Sequence, residues 1–280
     1  MFEALKKLKY KARVLLSNRG GTPETVDVNG RSTVIMHGGE GPAFVYLHST
    51  LGETAMWLPF YQAWAKQFRV FVPTHPGFGK SGGFDQIDTI EDMAFHYLEL
   101  FDALGLDEVI LGGVSLGGWI AAEIAVRWPE RVKKLWIASA PGFWLDEHPL
   151  PDLFRLGQDR RAIREMLFHD PTSAMATMVI QDHPPEETVL AAYQNMTVLA
   201  RLIWERPYSP KLGARLARVK CPTLLLWGAN DRLVPPIYAE EYRKRLPHAE
   251  LVQIADCGHL LMFEKEKEFV DAISSFAVKS

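Results

Sequence analysis

The stretch VILGGVSLGGWIAAEIAVRW, residues 109–128, decides the fold of this 280-residue chain. It begins with the apolar run Val109–Leu111, typical of a strand that is covered on both faces, and it continues as a helical pattern over Leu116–Trp128. Between them lies Gly113-Val114-Ser115-Leu116-Gly117. A serine at the apex of a tight strand-to-helix turn has a strained backbone, and small residues two positions away on either side let strand and helix pack closely. The pattern predicts that the Ser115 hydroxyl projects from the sheet, although a phosphate-binding glycine turn or a simple bend has a similar sequence.

Strand and helix patterns alternate on both sides of this stretch. Near the N-terminus, Thr25–Val28 and Arg31–Met36 flank Asn29-Gly30, which predicts a β-hairpin because Asn-Gly readily adopts positive φ angles. Further strands are predicted at Ala43–Leu47, Val70–Val72, Val109–Leu111, Val132–Ala138, Thr223–Trp227 and Glu250–Ile254. Helices are predicted at Trp57–Phe68, Ile90–Leu104, Leu116–Trp128, Pro236–Leu246 and Glu264–Ala277. This alternation indicates an α/β protein with a mostly parallel sheet and helices on both faces.

One long interval, residues 142–215, interrupts the alternation. It has helical patterns over Leu153–Phe168, Thr172–Ile180 and Glu186–Trp204 but no convincing strand. We therefore predict a helical insertion at 142–215 in a core formed by residues 1–141 and 216–280. The insertion is rich in aromatic and methionine side chains, of which Trp144 and Trp204 are candidates for contact with a substrate.

Composition excludes several classes of protein. The formal net charge of −3 argues against a nucleic-acid-binding surface, and two cysteines are too few for a disulfide scaffold or a zinc cluster. No apolar stretch approaches the roughly 18 residues that cross a bilayer, and the N-terminus lacks a signal-peptide pattern. These features predict a soluble, cytoplasmic protein whose partner is a small molecule. The one basic amphipathic segment, at the N-terminus, either contacts a membrane surface or a partner or, as we favour, packs on its own domain.

A serine hydroxyl needs a histidine base, and that base needs an acid that fixes its tautomer. Asp231 follows the predicted strand that ends at Trp227, and His259 follows the one that ends at Ile254. Residues at the carboxyl ends of parallel strands meet at the ligand-binding edge of an α/β sheet. Asp231 could instead be a turn carboxylate and His259 a hydrogen-bonded loop histidine. We nevertheless predict a catalytic triad of Ser115, Asp231 and His259, with the Leu116 N–H at the helix N-terminus as an oxyanion donor.

With these residues in the order Ser, Asp, His, the chain resembles the α/β-hydrolase family over nearly its full length. The segment Leu47-His48-Ser49-Thr50 and the loop Pro76-Gly77-Phe78-Gly79-Lys80-Ser81 add to the resemblance. It implies an eight-stranded type of sheet, a cap formed by the insertion, and a second oxyanion N–H from Thr50. Two positions depart from the family pattern, since Ser49 replaces the usual glycine and Thr74 an aspartate that relatives often carry.

These residues predict hydrolysis of a carboxylic ester, or a similar acyl bond, of a small hydrophobic substrate through an acyl-enzyme, with no cofactor and no metal. Serine at position 115 argues against the dehalogenase and epoxide hydrolase branches, which the resemblance ties to aspartate there. A carbon–carbon bond hydrolase that acts on a vinylogous diketone is the alternative enzyme, for which Arg201, Trp204 and Arg206 could supply cap-side contacts. A non-catalytic ligand receptor that keeps the fold is the alternative outside the enzymes.

Overall fold

The computed structural model describes residues 8–9, 11–12, 20–157 and 159–279. Its centre is an eight-stranded sheet with the order β1-β2-β4-β3-β5-β6-β7-β8. The strands are β1 Thr22–Val28, β2 Arg31–Gly38, β3 Ala43–Leu47, β4 Arg69–Pro73, β5 Val109–Val114, β6 Val132–Ala138, β7 Thr223–Gly228 and β8 Ala249–Ile254. β2 pairs antiparallel with β1 and with β4, and all other pairs are parallel. The predicted mostly parallel α/β sheet is confirmed.

The β1–β2 hairpin turns at Asn29 and Gly30, whose φ angles are 51° and 84°. Both values lie in the left-handed region, which asparagine tolerates better than most residues and glycine adopts freely. The predicted hairpin is therefore confirmed, and its register pairs Val28 with Arg31 directly beside the turn.

Helices cover the sheet, and most of them end within a few residues of their predicted bounds. They are α1 Pro59–Trp64, α2 Ile90–Ala103, α3 Leu116–Arg127, α4 Arg160–Leu167, α5 Ala174–Val179, α6 Glu186–Ile203, α7 Leu212–Arg215, α8 Ile237–Arg245, α9 Leu261–Glu264 and α10 Glu266–Val278. The helix predicted over Glu264–Ala277 corresponds to α10 and begins two residues later than predicted, because Lys265, with φ −132° and ψ 52°, separates it from the short α9. The helix predicted over Trp57–Phe68 begins later, with Pro59 in its first turn, where the missing N–H of proline costs no hydrogen bond.

The segment between β6 and β7 has no strand among its described residues, and α4, α5, α6 and α7 lie within it. The single helix predicted over Leu153–Phe168 was wrong. A short 3₁₀ helix at Leu153–Leu156 ends at Gly157, which has a positive φ of 53°, and Asp159 then caps α4 by accepting a hydrogen bond from the Ala162 N–H at 2.9 Å. The glycine with positive φ ends one helix, and the new N-cap residue begins the next. The apolar spacing in the sequence continues across both helices and does not show this break.

The middle strands are buried on both faces, and every residue of β5 and β7 is buried. On one face the Trp136 ring packs against the rings of Phe44, Tyr46, Trp64 and Phe269 at centroid distances of 5.8 to 6.1 Å. This aromatic core holds β5 in the centre of the sheet, so the residue that follows β5 lies on a rigid support.

At the N-terminus, residues 8–9 and 11–12 are helical, and the rest of the predicted amphipathic helix lies outside the described residues. No helix in the described part of the chain combines the length and the apolar character that crossing a bilayer requires. Both cysteines, Cys221 and Cys257, are buried and unpaired with one another.

Candidate active site

Ser115 lies at the turn between β5 and α3 with φ 55° and ψ −117°, a conformation that side chains other than glycine rarely adopt. Its backbone N–H donates to the Ala138 carbonyl oxygen at 2.9 Å, which fixes the turn to the neighbouring strand. A Cβ atom on Gly117 would lie 2.0 Å from the Leu47 carbonyl oxygen, and one on Gly113 would lie 2.5 Å from the same atom. Glycine on both sides of Ser115 is thus required by the close approach of α3 to β3 and β5.

His259 and Asp231 form a buried hydrogen-bonded pair. The His259 Nδ1–H donates to Asp231 Oδ2 at 2.9 Å, and the two residues are only 2% and 4% exposed. Asp231 Oδ1 accepts the backbone N–H groups of Leu233 and Val234, each at 2.9 Å. Because one carboxylate oxygen is held by two amides, the other points at the imidazole, and this leaves Nε2 as the free nitrogen of the ring.

The Ser115 hydroxyl forms no hydrogen bond with a described residue, His259 included. His259 Nε2 likewise forms no hydrogen bond with a described residue. Neither atom is fully buried. Both atoms therefore open onto accessible space. Since β5, β7 and β8 are part of one parallel arrangement, Ser115, Asp231 and His259 all follow strand ends on the same edge of the sheet.

A cavity of about 330 Å³ lies over Ser115. The predicted residues Thr50, Leu116, Trp144 and Trp204 also line it, and aromatic side chains form much of its wall. The ring of Trp144 packs against that of Tyr208 with centroids 5.5 Å apart, and the ring of Trp204 packs against that of Phe154 at 5.3 Å. Trp204 is 70% exposed, so it lies at the outer rim of the cavity.

Two residues of this wall, Leu116 and Thr50, have backbone N–H groups that form no hydrogen bond with a described residue. Leu116 is the first residue of α3, so its N–H is one of the amides that an α-helix leaves unpaired at its N-terminus. Both residues line the cavity that Ser115 lines. Their N–H groups therefore remain available in the wall of the cavity that Ser115 lines.

The loop that carries Thr50 is held by Glu53, which the sequence analysis missed. Glu53 Oε1 accepts the Ser49 N–H at 2.9 Å and the Tyr46 hydroxyl at 2.6 Å, and Oε2 accepts the Ser49 hydroxyl at 2.7 Å. The unusual Ser49 is therefore a partner of this carboxylate rather than a disturbance of the loop. A serine or glutamate in an aperiodic loop gives no signal of such a contact, although the four-residue spacing allows it.

Two buried histidines support the same loop from below. The His75 N–H donates to His48 Nε2 at 2.9 Å, His48 Nδ1–H donates to the Ser49 carbonyl oxygen at 2.6 Å, and the two rings are 3.6 Å apart between centroids. Burial lowers the pKa of both imidazoles, and for His75 the neighbouring His48 adds to the decrease. Both rings are therefore neutral at pH 7, and His48 orients the loop through its hydrogen bond to Ser49.

The helical insertion is tied to these loops through two carboxamides on α6. Asn195 Nδ2 donates to the carbonyl oxygens of Thr50 and Leu51 at 3.2 and 3.1 Å. Gln194 Nε2 donates to the carbonyl oxygens of Gly77 and Gly79 at 2.7 and 3.1 Å. The helical segment between β6 and β7 thus holds the loop of Thr50 through Asn195, and Glu53 holds the same loop through Ser49.

Glu264, also missed in the sequence, fixes the loop of His259. Its Oε2 accepts the Gly258 N–H at 2.6 Å and its Oε1 accepts the His169 N–H at 2.8 Å, and burial raises the pKa of this carboxyl. In the sequence this residue looks like an ordinary first residue of a helix. Burial also raises the pKa of the nearby Cys257 thiol. Cys257 therefore stays protonated and unreactive, and it does not compete as a nucleophile.

A second cavity, of about 660 Å³, adjoins the first and shares Thr50, Leu153 and Leu233 with it. Its wall is formed by α4, α5 and α6 of the insertion together with the loop after β3. The candidate site therefore has two adjoining chambers, and Ser115 lines the smaller one.

A strained serine after the central strand and a buried aspartate–histidine pair on neighbouring strands define a hydrolase of the α/β type, and residues 34–272 match the model of the alpha/beta hydrolase family. The chain belongs to this family. A 2-hydroxy-6-oxononadienedioate/2-hydroxy-6-oxononatrienedioate hydrolase of Klebsiella pneumoniae is 27% identical, with 96% of each chain covered.

Solved structures of similar shape support the fold. A bacterial membrane phospholipase A superposes with a TM-score of 0.80 at 24% identity and covers 99% of this chain and 91% of its own. A carboxylesterase of Bacillus subtilis superposes with a TM-score of 0.75 at 22% identity, with 99% of each chain covered.

Proposed function

We propose that this protein is a serine hydrolase that cleaves carboxylic esters through an acyl-enzyme, with Ser115 as nucleophile, His259 as base and Asp231 as the acid that orients it. The observation that carries the proposal is the buried hydrogen bond between Asp231 and His259. It leaves His259 Nε2 free and accessible, at the edge of the sheet where Ser115 also lies. Strain at Ser115 is typical of functional residues, because such a conformation persists only where the surrounding structure enforces it.

In this mechanism Ser115 Oγ attacks the ester carbonyl carbon and its proton passes to His259 Nε2 in the substrate complex. The Leu116 and Thr50 amides stabilise the oxyanion of the tetrahedral intermediate. The bond to the alcohol oxygen then breaks, and the alcohol leaves with the proton from His259. Water, deprotonated by the same imidazole, attacks the acyl group on Ser115 and releases the carboxylic acid and the free serine.

Residues 142–215 act, in this proposal, as a cap over a catalytic core of residues 1–141 and 216–280. The contacts of Asn195 and Gln194 with loops of the core support this division, as does the share of both chambers that the insertion lines. Trp144 and Trp204 contact the substrate from the cap side of the smaller chamber.

Carbon–carbon bond hydrolysis of a dioate, as the name of the Klebsiella relative indicates, requires sites for two carboxylates. Among the described residues that line the smaller chamber, the one charged side chain is Asp152, which repels an anion. Arg201 instead pairs with Asp88 at 2.6 Å, and Arg206 lies over the Tyr208 ring. Neither arginine lines a chamber, and the two cations of the larger chamber, Lys11 and Arg160, do not line the smaller one, which holds Ser115. The smaller chamber therefore favours the ester over the dioate.

The choice of substrate can be tested by comparing kcat/KM for 4-nitrophenyl butyrate with that for a ring-fission dioate. We expect the ester to be preferred by at least about 10²-fold, because each uncompensated charge buried in an apolar site costs several kcal/mol. The Asp152→Asn variant is the informative control, since it removes the repelling charge and should improve only the dioate. A preference of the native protein for the dioate would overturn the ester proposal.

Glu53 is a positioning residue in this proposal, because it acts through the loop that presents the Thr50 amide. Loss of one oxyanion donor costs about 10²–10³ in kcat, and a loosened donor costs less. We expect Glu53→Ala to lower kcat about tenfold or more with a much smaller change in KM, and Glu53→Gln, which keeps one acceptor oxygen, to recover part of the loss.

Steady-state kinetics with a short ester, alongside the thermal unfolding midpoint of each variant, provides the measurement. Ser49→Gly introduces the residue that the family usually carries and removes one of the three hydrogen bonds to Glu53, so it should fall between the native protein and Glu53→Ala. If Glu53→Ala and Ser49→Gly lowered the thermal unfolding midpoint but left kcat unchanged, Glu53 would have a structural role alone.

A further inference from the structure

The larger chamber differs from the smaller one in its chemistry. The smaller chamber has the aromatic rings of Trp119, Trp144, Phe154 and Trp204 in its wall. The larger chamber has a wall of leucine, isoleucine, valine and methionine side chains, with Phe263 as its aromatic residue among those described. Flexible, unbranched methionine side chains adapt their shape to aliphatic ligands.

The polar side chains on the larger chamber are fewer than the apolar ones, and two of them already form hydrogen bonds with the protein. Both oxygens of Glu53 accept hydrogen bonds from Ser49 and Tyr46, and the Asn195 amide donates to the loop of Thr50. The other polar lining residues occupy exposed or half-exposed positions, where water or neighbouring groups reach them: Lys11, Thr50, Arg160, Gln181 and Thr188. The apolar majority of the wall therefore favours a hydrocarbon part of a ligand.

The size of the larger chamber and its position beside the chamber of Ser115 indicate that this hydrocarbon is long. Thr50, whose amide is a proposed oxyanion donor, lines both chambers, whereas Ser115 and Leu116 line the smaller one alone. An ester bound at Ser115 therefore lies in the smaller chamber, on the side where the larger chamber adjoins it. A short acyl group would be held in the smaller chamber of about 330 Å³ and would leave the chamber of about 660 Å³ unused. Apolar surface buried along a chain adds to binding in proportion to its length.

We propose that the substrate is an ester with a long unbranched aliphatic chain, and that this chain occupies the larger chamber while the other part of the ester lies among the aromatic rings. This inference rests on the proposed ester hydrolysis and names the substrate class for it. The reaction is the same: the ester C–O bond breaks and water supplies the atoms of the acid and the alcohol.

The first experiment measures kcat/KM for two ester series, 4-nitrophenyl alkanoates from C2 to C14 and straight-chain alkyl acetates from C2 to C14. Full burial of each methylene corresponds to an increase of up to about fourfold. We expect a rise through at least C10 in one of the two series, and the series that rises identifies whether the chain belongs to the acid or to the alcohol. A maximum at C2 to C4 in both series overturns the proposal while leaving ester hydrolysis intact.

The second experiment narrows the larger chamber. Ala192, on α6, lines it, and Ala192→Trp should lower the ratio of kcat/KM for the C12 ester to that for the C4 ester at least tenfold. Ala200→Trp is the matched control, because Ala200 is half-buried on the same helix and lines neither chamber, so the ratio should stay within twofold. Equal losses for both esters in Ala192→Trp, with a native unfolding midpoint, would contradict the assignment.

A binding measurement separates this inference from the catalytic proposal. A fluorescent long-chain fatty alcohol, which carries no charge, should bind the Ser115→Ala variant, which cannot turn over, and Ala192→Trp in that background should weaken binding at least tenfold. If the native protein hydrolyses no ester but this binding is observed, ester hydrolysis fails and the chain site stands. If no binding is observed, the chain site fails whatever the esterase assay gives.

Discussion

Replacement of Ser115 by alanine is expected to lower kcat for ester hydrolysis by about 10⁵–10⁶-fold, because removing the nucleophile of such a triad leaves only the oxyanion donors and substrate binding to act. The same variant should lose covalent labelling by a fluorophosphonate, which phosphonylates an activated serine hydroxyl. Turnover is measured with a 4-nitrophenyl ester, and labelling by intact-protein mass spectrometry.

Ser139 offers a matched control for this variant. It follows β6, the strand beside β5, has a positive φ of 46°, and its hydroxyl is buried without a partner among the described residues. Ser139→Ala should therefore keep both turnover and labelling. A native protein that resists the fluorophosphonate, with an intact fold, would instead favour the non-catalytic receptor.

Substitution of Asp231 by asparagine is expected to lower kcat about 10⁴-fold while the fold is retained. Asparagine still has an oxygen that can accept the N–H groups of Leu233 and Val234, so the local backbone keeps its hydrogen bonds. Its amide NH₂ cannot accept the Nδ1–H of His259, so the imidazole loses the tautomer that leaves Nε2 unprotonated. The measurement is kcat for the same ester, with the thermal unfolding midpoint as a check on folding.

Asp256→Asn is the companion control because it makes the same change of charge close to His259. Asp256 is exposed and has a positive φ of 49°, a conformation that asparagine tolerates well. Its turnover should stay near the native value. Native turnover in Asp231→Asn would show that another group supplies the acid.

The strands could largely be predicted, because buried parallel strands are continuous apolar runs, and the flanking glycines indicated the tight turn at Ser115. The breaks within helices could not. Gly157 is the example: it interrupts a segment whose apolar spacing continues across the break, and periodicity measures which face is buried rather than whether the backbone is continuous.

The same limit applies to the site. Ser115, Asp231 and His259 each follow a predicted strand, so their common edge could be inferred from topology. Glu53 and Glu264 lie in segments where a carboxylate is ordinary, and their roles arise only from which amide each one reaches. The two chambers depend on how the insertion packs on the core, which no local pattern encodes.

The carboxamide contacts of Asn195 and Gln194 have a consequence for recombining domains among relatives. Exchange of the helical segment between β6 and β7 for that of another family member would change the residues that line the two chambers. It would also remove the two carboxamide side chains that hold loops of the core. A chimera of this kind should lose catalytic rate as well as change preference, unless the graft carries an amide side chain at each of these two helix positions.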